Sequence, residues 1–565
     1  MSLEGHTSRY TNLIESLEAA PAERAFITHW TNEDTQEAVT FGEFRNRARM
    51  QAGVLYGEGI RAGDRLVIIM PQGIQAMAMF IGGMMLGAVP AFLAYPNDKV
   101  EPSKYRSGIE GVTANLGAKA VVIDRDFPAE MLEYVSLSEG ARLLYESEPR
   151  PLQQTLPREP INGNDIAFIQ HSAGTTGLQK GVALTHSAVL RQIEYLQDAL
   201  KMNDSLDRIY SWLPLYHDMG LIACFMLPMV SHVPVVMQSP TDWVMHPETM
   251  LQAVSAHRCT LGWLPNFAFQ FVARRTRLGL DSQYDLSSLR ALINCSEPVR
   301  NKSMQEFSDA FAKIGVRSGV LQSSYAMAEN VFAITQSDLH SGPAKIWADK
   351  GEFYSAHRIV RVEECAGEIC FVSSGKLLPD HKVRIVDDSG ANLPCDCVGE
   401  ILVQSDCLFS GYYNRPDLTE VAFTDGWYRT GDLGFLIDDE LFVVGRKKDL
   451  IILAGENIYP QDLEEIVAAH PAVHDGRAVA MGAYNPQTGT EDVVVVAEVE
   501  GHKSLGDAAL EQELRDSVIS GMGIAVGRIY LKPPKWIVKS TAGKPARLAT
   551  FEKLLKEHKE LAVVD

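Results

Sequence analysis

The chain has 565 residues, of which 46% are hydrophobic and 22% are charged, and its formal net charge is -20 at pH 7. This length is too great for a single hydrophobic core and predicts several subdomains. The acidic balance argues against a nucleic-acid-binding protein, because phosphate contacts require an excess of lysine and arginine.

The first residues, Met1-Ser-Leu-Glu-Gly-His6, show no basic segment followed by an apolar core, so we expect no signal peptide and a cytoplasmic location. Cysteine usage agrees with that expectation. Only Cys395-Asp-Cys397 is tightly spaced, and neither a second pair nor a histidine stands at zinc-ligand distance in the sequence. We therefore expect the eight cysteines to be reduced and mostly structural.

Residues 10–60 predict helices around a pair of strands, with a helix entered after Thr40. The next segment, residues 66–95, contains no charged residue and could be mistaken for a membrane-spanning helix. Pro71 and Pro90 divide it into strand, helix and strand, and its glycines suit close helix–sheet packing. We therefore predict a buried α/β unit here rather than a membrane span.

From Asp64 onward, apolar strand-like runs alternate with amphipathic stretches, which predicts a mainly parallel sheet covered by helices. The predicted strands are 65–70, 89–93, 119–123, 165–170, 208–213, 233–237 and 289–294. A helix is predicted over residues 181–200, entered through Thr185-His-Ser-Ala188.

The stretch His171-Ser-Ala-Gly-Thr-Thr-Gly-Leu-Gln-Lys-Gly181 follows one of these strands. Its glycines and hydroxyls predict a turn that exposes backbone N–H groups to a polyanion, and Lys180 adds a positive charge for phosphate oxygens. The spacing differs from that of the nucleoside-triphosphate loop G-x4-G-K-[ST]. A flexible glycine hairpin without a ligand is the alternative for this stretch taken alone.

Beyond Asp338, short strand-like runs separated by turn residues predict a mostly antiparallel, β-rich subdomain over about 340–445. The last part of the chain predicts a small separate α/β unit. We place the boundary at the charged break Arg446-Lys-Lys-Asp449, which gives an N-terminal domain, 1–446, and a C-terminal domain, 447–565.

Further stretches place polar side chains at predicted strand ends or in glycine turns, where ligands collect in open α/β sheets. They are Trp212–Ile222, Leu292–Pro298, Ser323–Glu329, Gly426–Gly434 and Val538–Arg547. Tyr325 could stack on a purine, Glu329 is an oxygen ligand suited to Mg²⁺ carried on phosphates, and Asp432 could accept both hydroxyls of a ribose. Taken singly, each has an ordinary alternative, such as a structural histidine for His217 or a surface carboxylate for Glu329.

Together and in this order, these stretches resemble the motifs of the adenylate-forming superfamily, which includes acyl-CoA synthetases, non-ribosomal peptide adenylation domains and luciferases. The resemblance covers nearly the whole chain and is strongest to the fatty acyl-AMP ligases. The features that carry this resemblance are Tyr216–Ile222, Pro265–Phe269, Ser296–Arg300, Ala328-Glu329, Lys448–Ile452 and Tyr459–Glu464. It implies an α/β fold with a large N-terminal AMP-binding domain, built from mainly parallel sheets with helices plus the β-rich subdomain, and a small mobile α+β C-terminal domain.

The resemblance also implies ATP and Mg²⁺ as cofactors, and it implies roles for individual residues. Lys544 would bridge the acyl carboxylate and the α-phosphate, Glu329 would ligate Mg²⁺, and His217 would line the acyl site. The implied nucleotide ligands are Ser172, Gly174, Thr175, Thr176, Gly177 and Lys180 for the β- and γ-phosphates, Ser296, Glu297 and Tyr325 for the adenine, and Asp432 with Arg446 for the ribose. Lys448 occupies the position of the hinge about which the C-terminal domain swings.

The segment 344–364 resembles an insertion that is implied to restrain the C-terminal domain and to disfavour CoA. The chain departs from the superfamily pattern at Ala173, at Gln179 and at Ala326, which replaces a glycine beside the acyl pocket. Residues 225–229 and 263–271 could line that pocket or could equally be ordinary core. An acidic carrier protein could dock on a set of cations, which are residues 446–448, Lys532, Lys535 and Lys539. An ordinary solvated surface is the alternative for these residues.

The implied reaction joins a carboxylic acid, of which a fatty acid is our first choice, to ATP and releases pyrophosphate. The acyl group of the resulting acyl-adenylate would then pass to the phosphopantetheine thiol of an acyl carrier protein. Free CoA is the alternative acceptor, and a non-adenylating acyl transferase or binding protein with the same fold is the more distant alternative. A kinase or ATPase acts on the γ-phosphate, so formation of AMP would exclude that class.

Overall fold

The structure is a computed structural model that describes residues 8–30, 36–96, 102–132, 135, 137, 140–146, 160–171, 180–276, 278, 284–365, 368–453, 456–485, 490–500, 507–539 and 545–558. Its helices before the C-terminal part are Leu13–Glu18, Phe41–Gly57, Ile74–Met85, Pro102–Leu116, Ala129–Leu132, His186–Ala199, Leu227–Ser231, Pro240–Met245, Thr249–His257, Asn266–Arg275, Asn301–Phe311, Lys350–Ala356 and Pro416–Ala422. Met219–Met226 is a π-helix, and Ala312–Ile314 and Ala328–Asn330 are short 3₁₀ turns.

The largest buried core surrounds a sheet that is parallel except at one edge. In spatial order its described strands are Leu321–Ser323, Ala291–Asn294, Leu261–Leu264, Ile209–Ser211, Val235–Gln238, Ala25–Trp30 and Gln36–Thr40. The last two strands pair antiparallel, and the others pair parallel. The carboxyl ends of the parallel strands therefore meet along one edge. This agrees with the parallel pairing predicted for the strands at 208–213, 233–237 and 289–294, whereas the predicted strand 165–170 lies outside this sheet and pairs antiparallel with Gly181–Thr185.

The charge-free segment 66–95 forms strand, helix and strand, as predicted. Arg65–Ile69 and Val89–Phe92 lie in a second parallel sheet, with the spatial order Val89–Phe92, Arg65–Ile69, Ala120–Ile123 and Arg142–Tyr145. Gly82 lets the helix between them approach the helix Phe41–Gly57, because a Cβ there would lie 2.7 Å from the Ala48 carbonyl oxygen. Among the described residues, no helix has the length and apolar character needed to cross a membrane.

The prediction of a helix over 181–200 is wrong for its first turn. Gly181–Thr185 is a strand that pairs antiparallel with Ile166–His171, and the helix begins only at His186, where the Thr185 hydroxyl accepts from the Ala188 N–H at 3.2 Å. The paired strands, which we call the glycine hairpin, bury Val182 and Leu184. Strand pairing on both sides of this segment decides its structure, because Ala183 also exchanges backbone hydrogen bonds with residues 410 and 411.

The region after Asp338 is β-rich and antiparallel, as predicted. Its larger sheet contains Thr335–Gln336, Lys376–Leu377, Glu440–Arg446, Trp427–Ile437, Gly399–Gln404 and Lys382–Val386, with Phe423–Thr424 on a side branch. Its smaller sheet contains Arg361–Val362, Lys345–Ala348 and Ile369–Val372. These sheets agree with the predicted fold class, while the exact domain boundaries stay a prediction.

The C-terminal part has its own buried cluster, which includes Ile451, Leu463, Val495 and Leu514. Its described strands are Ile451–Leu453, Glu456–Ile458, Val473–Asn485, Thr490–Val499 and Arg528–Lys532, and its helices are Pro460–Ala468, Ala508–Met522 and Arg547–Glu557. The 3₁₀ turn Lys447–Asp449, which we call the hinge turn, leads into this part. A separate core of this kind is what a small α+β unit requires.

Candidate functional site

Three residues predicted to bind a nucleoside meet at one point. Tyr325 follows the strand Leu321–Ser323 at the carboxyl edge of the large sheet, whereas Asp432 and Arg446 face each other on neighbouring strands of the β-rich region. The Tyr325 hydroxyl donates to Asp432 Oδ2 at 2.7 Å, and Arg446 Nε lies 3.3 Å from Asp432 Oδ1. Burial and the neighbouring Asp432 raise the pKa of Tyr325 well above its ordinary value, so this hydroxyl stays a donor.

Glu329 and Lys180 both contact Tyr412, a residue that the sequence analysis missed. Glu329 is in the 3₁₀ turn Ala328–Asn330, and its Oε1 accepts from the Tyr412 hydroxyl at 2.9 Å. The Lys180 ammonium lies 4.6 Å from the centre of the Tyr412 ring. The sequence did offer a signal, because two tyrosines follow Gly411 and a glycine often marks a turn. In the structure Gly411 has a φ of 133°, which favours glycine.

Ser296 and Glu297 follow the strand Ala291–Asn294 at the same edge of the large sheet. The Ser324 N–H donates to the Asn294 carbonyl at 3.0 Å, which joins this strand end to the one that carries Tyr325. Glu297 also has a structural bond, because its Oε2 accepts from the Phe267 N–H at 3.0 Å. Their predicted contacts with adenine stay a prediction.

His217 lies between the strand Ile209–Ser211 and the π-helix Met219–Met226. Its backbone N–H donates to the Pro214 carbonyl at 3.1 Å, and a Cβ on Gly220 would lie 2.3 Å from that same carbonyl oxygen. Such a tight turn requires glycine, and π-helices often occur at functional sites. Beside it, burial raises the pKa of Tyr216 to about 12.

The two apolar runs considered for an acyl pocket lie in the main core. Phe269 packs edge-on against Phe307, with ring centres 5.3 Å apart, and Phe225 packs against Phe26 and Phe44. These contacts favour core packing for those two phenylalanines.

Several predicted residues fall outside the described part of the chain. They are Ser172, Gly174, Thr175, Thr176, Gly177 and Lys544, together with the departures Ala173 and Gln179. The described residues that flank the first group are His171 and Lys180, and His171 pairs in register with Gly181 at the open end of the glycine hairpin. Those that flank Lys544 are Lys539 and Pro545, joined by an isolated antiparallel bridge.

The hinge turn is held to the segment after Lys544 by an arginine that the sequence analysis missed. Arg547 Nη1 donates to Asp449 Oδ2 at 2.9 Å, while Arg547 Nε and Nη2 donate to the two oxygens of Glu464 at 2.7 and 2.6 Å. Burial alone would lower the pKa of Arg547, but Glu464 and Asp449 outweigh it and raise that pKa. Beside Asp449, burial lowers the pKa of Lys448, and the positive charge of Arg446 acts in the same direction.

Some of the cations considered as a carrier dock are already paired. Lys447 Nζ lies 2.7 Å from Asp388 and 3.3 Å from Glu400, and Lys532 Nζ donates to Glu557 at 2.6 Å. Their charges are balanced locally, which favours the ordinary-surface alternative for these two lysines.

The helix Lys350–Ala356 of the predicted insertion contacts the C-terminal part. The Lys350 ammonium donates to the Gly521 carbonyl, and the Tyr354 hydroxyl donates to Asp462 Oδ2 at 3.0 Å. Arg300 also reaches Asp462, at 2.8 Å, and the Phe353 ring stacks on Tyr459 with centres 5.3 Å apart. The C-terminal part is thus held both to the insertion and to the residue that precedes the helix Asn301–Phe311.

Comparison with known proteins agrees with this geometry. Residues 14–413 match the family described as AMP-binding enzyme. The chain is 30% identical to medium-chain-fatty-acid–[acyl-carrier-protein] ligase JamA of Moorena producens, over 95% of this chain and 93% of that protein. It is 28% identical to long-chain-fatty-acid–AMP ligase FadD28 of Mycobacterium tuberculosis, over 87% of each.

A structure from studies of fatty acyl-adenylate ligases from E. coli and L. pneumophila superposes with a TM-score of 0.90 at 26% identity, covering 98% of this chain and 99% of that one. The fold predicted from the resemblance is therefore confirmed. The chain belongs to the family of AMP-binding enzymes.

Proposed function

We propose that this protein activates a carboxylic acid, most suitably a fatty acid, by joining it to ATP as an acyl-adenylate with release of pyrophosphate. The observation that carries the proposal is the convergence of Tyr325, Asp432 and Arg446 from separate sheets. They form a hydrogen-bonded cluster of the kind that a ribose and a purine need. The similarity to ligases named for fatty acids and acyl-adenylates supports the choice of acid.

In this proposal, Asp432 binds the ribose hydroxyls beside Arg446, and Ser296, Glu297 and Tyr325 frame the adenine. Ser172, Gly174, Thr175, Thr176, Gly177 and Lys180 hold the β- and γ-phosphates, and His217 lines the site of the acid. An Asp432 side chain that is 13% exposed, next to a cation and a buried tyrosine, is an acceptor of the kind that ribose recognition uses.

Glu329 is the proposed Mg²⁺ ligand. Mg²⁺ in nucleotide sites usually takes one or two carboxylates and completes its shell with phosphate oxygens and waters. Glu329 fits this pattern, because it offers one partly exposed carboxylate in the turn Ala328–Asn330, with its Oε1 held by the Tyr412 hydroxyl. A bound Mg²⁺ would neutralise part of the negative charge of the phosphates.

The chemistry brings a carboxylate to the α-phosphorus of ATP, so two anions must approach each other. Catalysis is then positioning and charge neutralisation, with little need for a general base. Lys544 is the proposed neutralising group, delivered when the C-terminal domain closes over the site. Arg547 stands three residues after Lys544 in the sequence, and its bonds to Asp449 and Glu464 connect this part of the chain to the hinge turn.

The first test is ATP–pyrophosphate exchange with a panel of carboxylic acids. Lys544→Ala should lower the exchange rate by at least about 10²-fold, the range seen when an electrostatic contact to the reacting groups is removed. Lys535→Ala, which removes an exposed lysine nearby in sequence, is the matched control and should retain the wild-type rate. Near wild-type exchange in the Lys544 variant would refute the assignment, and absence of exchange with every acid would favour the non-adenylating alternative.

For the second half-reaction we propose an acyl carrier protein as acceptor. The contacts of Lys350 and Tyr354 with the C-terminal part support this choice, because they belong to the segment 344–364, which resembles an insertion implied to restrain that part and to disfavour CoA. The name of the relative JamA supports it as well. Incubation with ATP, a fatty acid and either holo carrier protein or CoA should give the carrier-bound thioester, whereas a CoA thioester as the main product would overturn the choice.

A further inference from the structure

Tyr412 occupies a position that none of the predicted roles explains. Its side chain is buried, with 5% exposed, in contact with Glu329 through its hydroxyl and with Lys180 through its ring. These are the proposed Mg²⁺ ligand and the proposed phosphate-binding lysine. One tyrosine therefore contacts both the proposed metal ligand, through its hydroxyl, and the proposed phosphate-binding lysine, through its ring.

The backbone around Tyr412 fixes this position. Residues 410–413 run along the outer strand of the glycine hairpin: the Ala183 N–H donates to the Gly411 carbonyl at 3.1 Å, and the Tyr413 N–H donates to the Gly181 carbonyl at 2.7 Å. At the other end, the Phe409 N–H donates to the Glu329 carbonyl at 2.8 Å. The segment 409–413 is therefore one continuous piece of chain that is hydrogen-bonded to the glycine hairpin at one end and to the turn that carries Glu329 at the other.

The hydrogen-bond directions follow from the available protons. An ionised carboxylate can only accept, so the single proton of the Tyr412 hydroxyl goes to Glu329 Oε1. The Tyr428 hydroxyl, 3.2 Å away, then donates to the Tyr412 oxygen. The result is a chain from Tyr428 through Tyr412 to the carboxylate.

We propose that Tyr412 is a positioning residue that orients Glu329 for Mg²⁺ with its hydroxyl and orients Lys180 for the phosphates with its ring. This inference rests on the proposed roles of Glu329 and Lys180. A partner of a metal ligand of this kind commonly contributes ten- to hundredfold to metal affinity. A cation over an aromatic ring contributes less, on the order of a few-fold to tenfold.

The two contacts can be separated by substitution. Tyr412→Phe removes the hydroxyl and keeps the ring, so it should disturb Glu329 and leave Lys180 in place. Tyr412→Leu removes both. Tyr413→Phe makes the same chemical change at the next residue, whose contacts with Gly181 use the backbone, and is the matched control.

The test measures binding of a non-hydrolysable ATP analogue to the full-length protein by calorimetry over a series of Mg²⁺ concentrations. For Tyr412→Phe we expect the Mg²⁺ concentration at half-maximal binding to rise about tenfold, with little change in analogue affinity at saturating Mg²⁺. For Tyr412→Leu we expect that same shift together with about fivefold weaker binding at saturating Mg²⁺. Tyr413→Phe should follow the wild-type curve. In a Glu329→Gln background, Tyr412→Phe should add no further shift.

A Mg²⁺ curve of Tyr412→Phe that superposes on the wild-type curve overturns the proposal, and so does an equal shift in Tyr413→Phe. A purely structural tyrosine would weaken binding at every Mg²⁺ concentration alike. Should Tyr412→Leu fail to fold, Tyr412→Phe alone decides. Failure of the wild-type protein to bind the analogue at all would instead count against the proposed function, so the two failures are distinguishable.

Discussion

Two arginines of this molecule bind carboxylates in opposite ways. Within the described residues, Arg446 in the candidate nucleotide site has one ion pair, at 3.3 Å to Asp432, and 58% of its side chain is exposed. Arg547 beside the hinge turn uses Nε and both terminal nitrogens on Asp449 and Glu464 at 2.6–2.9 Å, and 26% of its side chain is exposed. Arg446 therefore keeps N–H donors that a ligand can use, whereas the Nε, Nη1 and Nη2 groups of Arg547 already donate to carboxylates of the protein.

The difference separates a binding group from a structural one. A bidentate arginine with two partly buried carboxylates fixes the parts it joins, here the hinge turn, the helix Pro460–Ala468 and the segment after Lys544. A half-exposed arginine with one longer contact adds little to stability. We therefore expect loss of Arg547 to appear in unfolding experiments and loss of Arg446 to appear in nucleotide binding.

The largest expected effect is on stability. Arg547→Met leaves Asp449 and Glu464 partly buried without their cation, which should lower the free energy of unfolding of the C-terminal part by about 3 kcal/mol. The measurement is denaturant unfolding followed by a probe in that part. Arg358→Met is the control: it removes an exposed arginine paired to Asp396, with side chains 57% and 37% exposed, and its loss should hardly change the free energy of unfolding. Equal losses in the two variants would break the comparison.

A buried group without an opposite charge extends the comparison. His171 is 6% exposed, and within the described part of the chain neither ring nitrogen has a hydrogen-bond partner, so burial lowers its pKa to about 4. The unfolded chain, with a pKa near 6.5, takes up a proton as the pH falls below about 6.5 while the folded protein does not. Stability is therefore lost as the pH falls from about 6.5 to about 4.

For His171 alone, the loss between pH 7 and pH 5 should be about 2 kcal/mol. In His171→Phe, the free energy of unfolding measured by denaturant titration should fall by about 2 kcal/mol less between pH 7 and pH 5 than in the wild type. His246→Gln is the control, because the side chain of His246 is 57% exposed. An unchanged pH dependence in His171→Phe would show that the buried imidazole does not set it.

How much of this could be predicted from sequence depends on the kind of signal. Tyr325 and Asp432 stood next to a predicted strand end and in a glycine turn, so local pattern was enough to choose them, whereas Arg446 was chosen through the family resemblance. Arg547 was missed as a contact because its partner Glu464 lies 83 residues away and nothing local marks the pair. The strand Gly181–Thr185 was missed because pairing with Ile166–His171 and with residues 410–413 outweighs the helical signal of the residues that follow. Local chemistry is predictable from sequence, whereas long-range partners depend on the fold.

Asp432→Asn tests whether the carboxylate beside Arg446 binds the nucleotide. The amide keeps the shape and can still accept from Tyr325, but it has one oxygen fewer for a ribose and no charge for Arg446. We expect KM for ATP in pyrophosphate exchange to rise about ten- to hundredfold, the worth of a hydrogen bond to a charged group. Asp388→Asn, at a carboxylate that is 90% exposed beside Lys447, should leave KM unchanged. A wild-type KM in Asp432→Asn would argue against ribose binding there.

The smallest effect is expected for Arg446→Gln. One ion pair with a half-exposed arginine is worth up to about 1 kcal/mol, so KM for ATP should rise by less than about tenfold while the free energy of unfolding hardly changes.

Added salt makes the difference between the two arginines easier to measure. Because the Debye length falls to about 3 Å at 1 M salt, the difference in KM between wild type and Arg446→Gln should shrink as salt increases. The unfolding penalty of Arg547→Met should persist under the same conditions, since salt screens partly buried pairs much less. If the Arg446 variant instead loses stability and its KM is insensitive to salt, then Arg446 is a structural arginine like Arg547, and the nucleotide must be held by other donors.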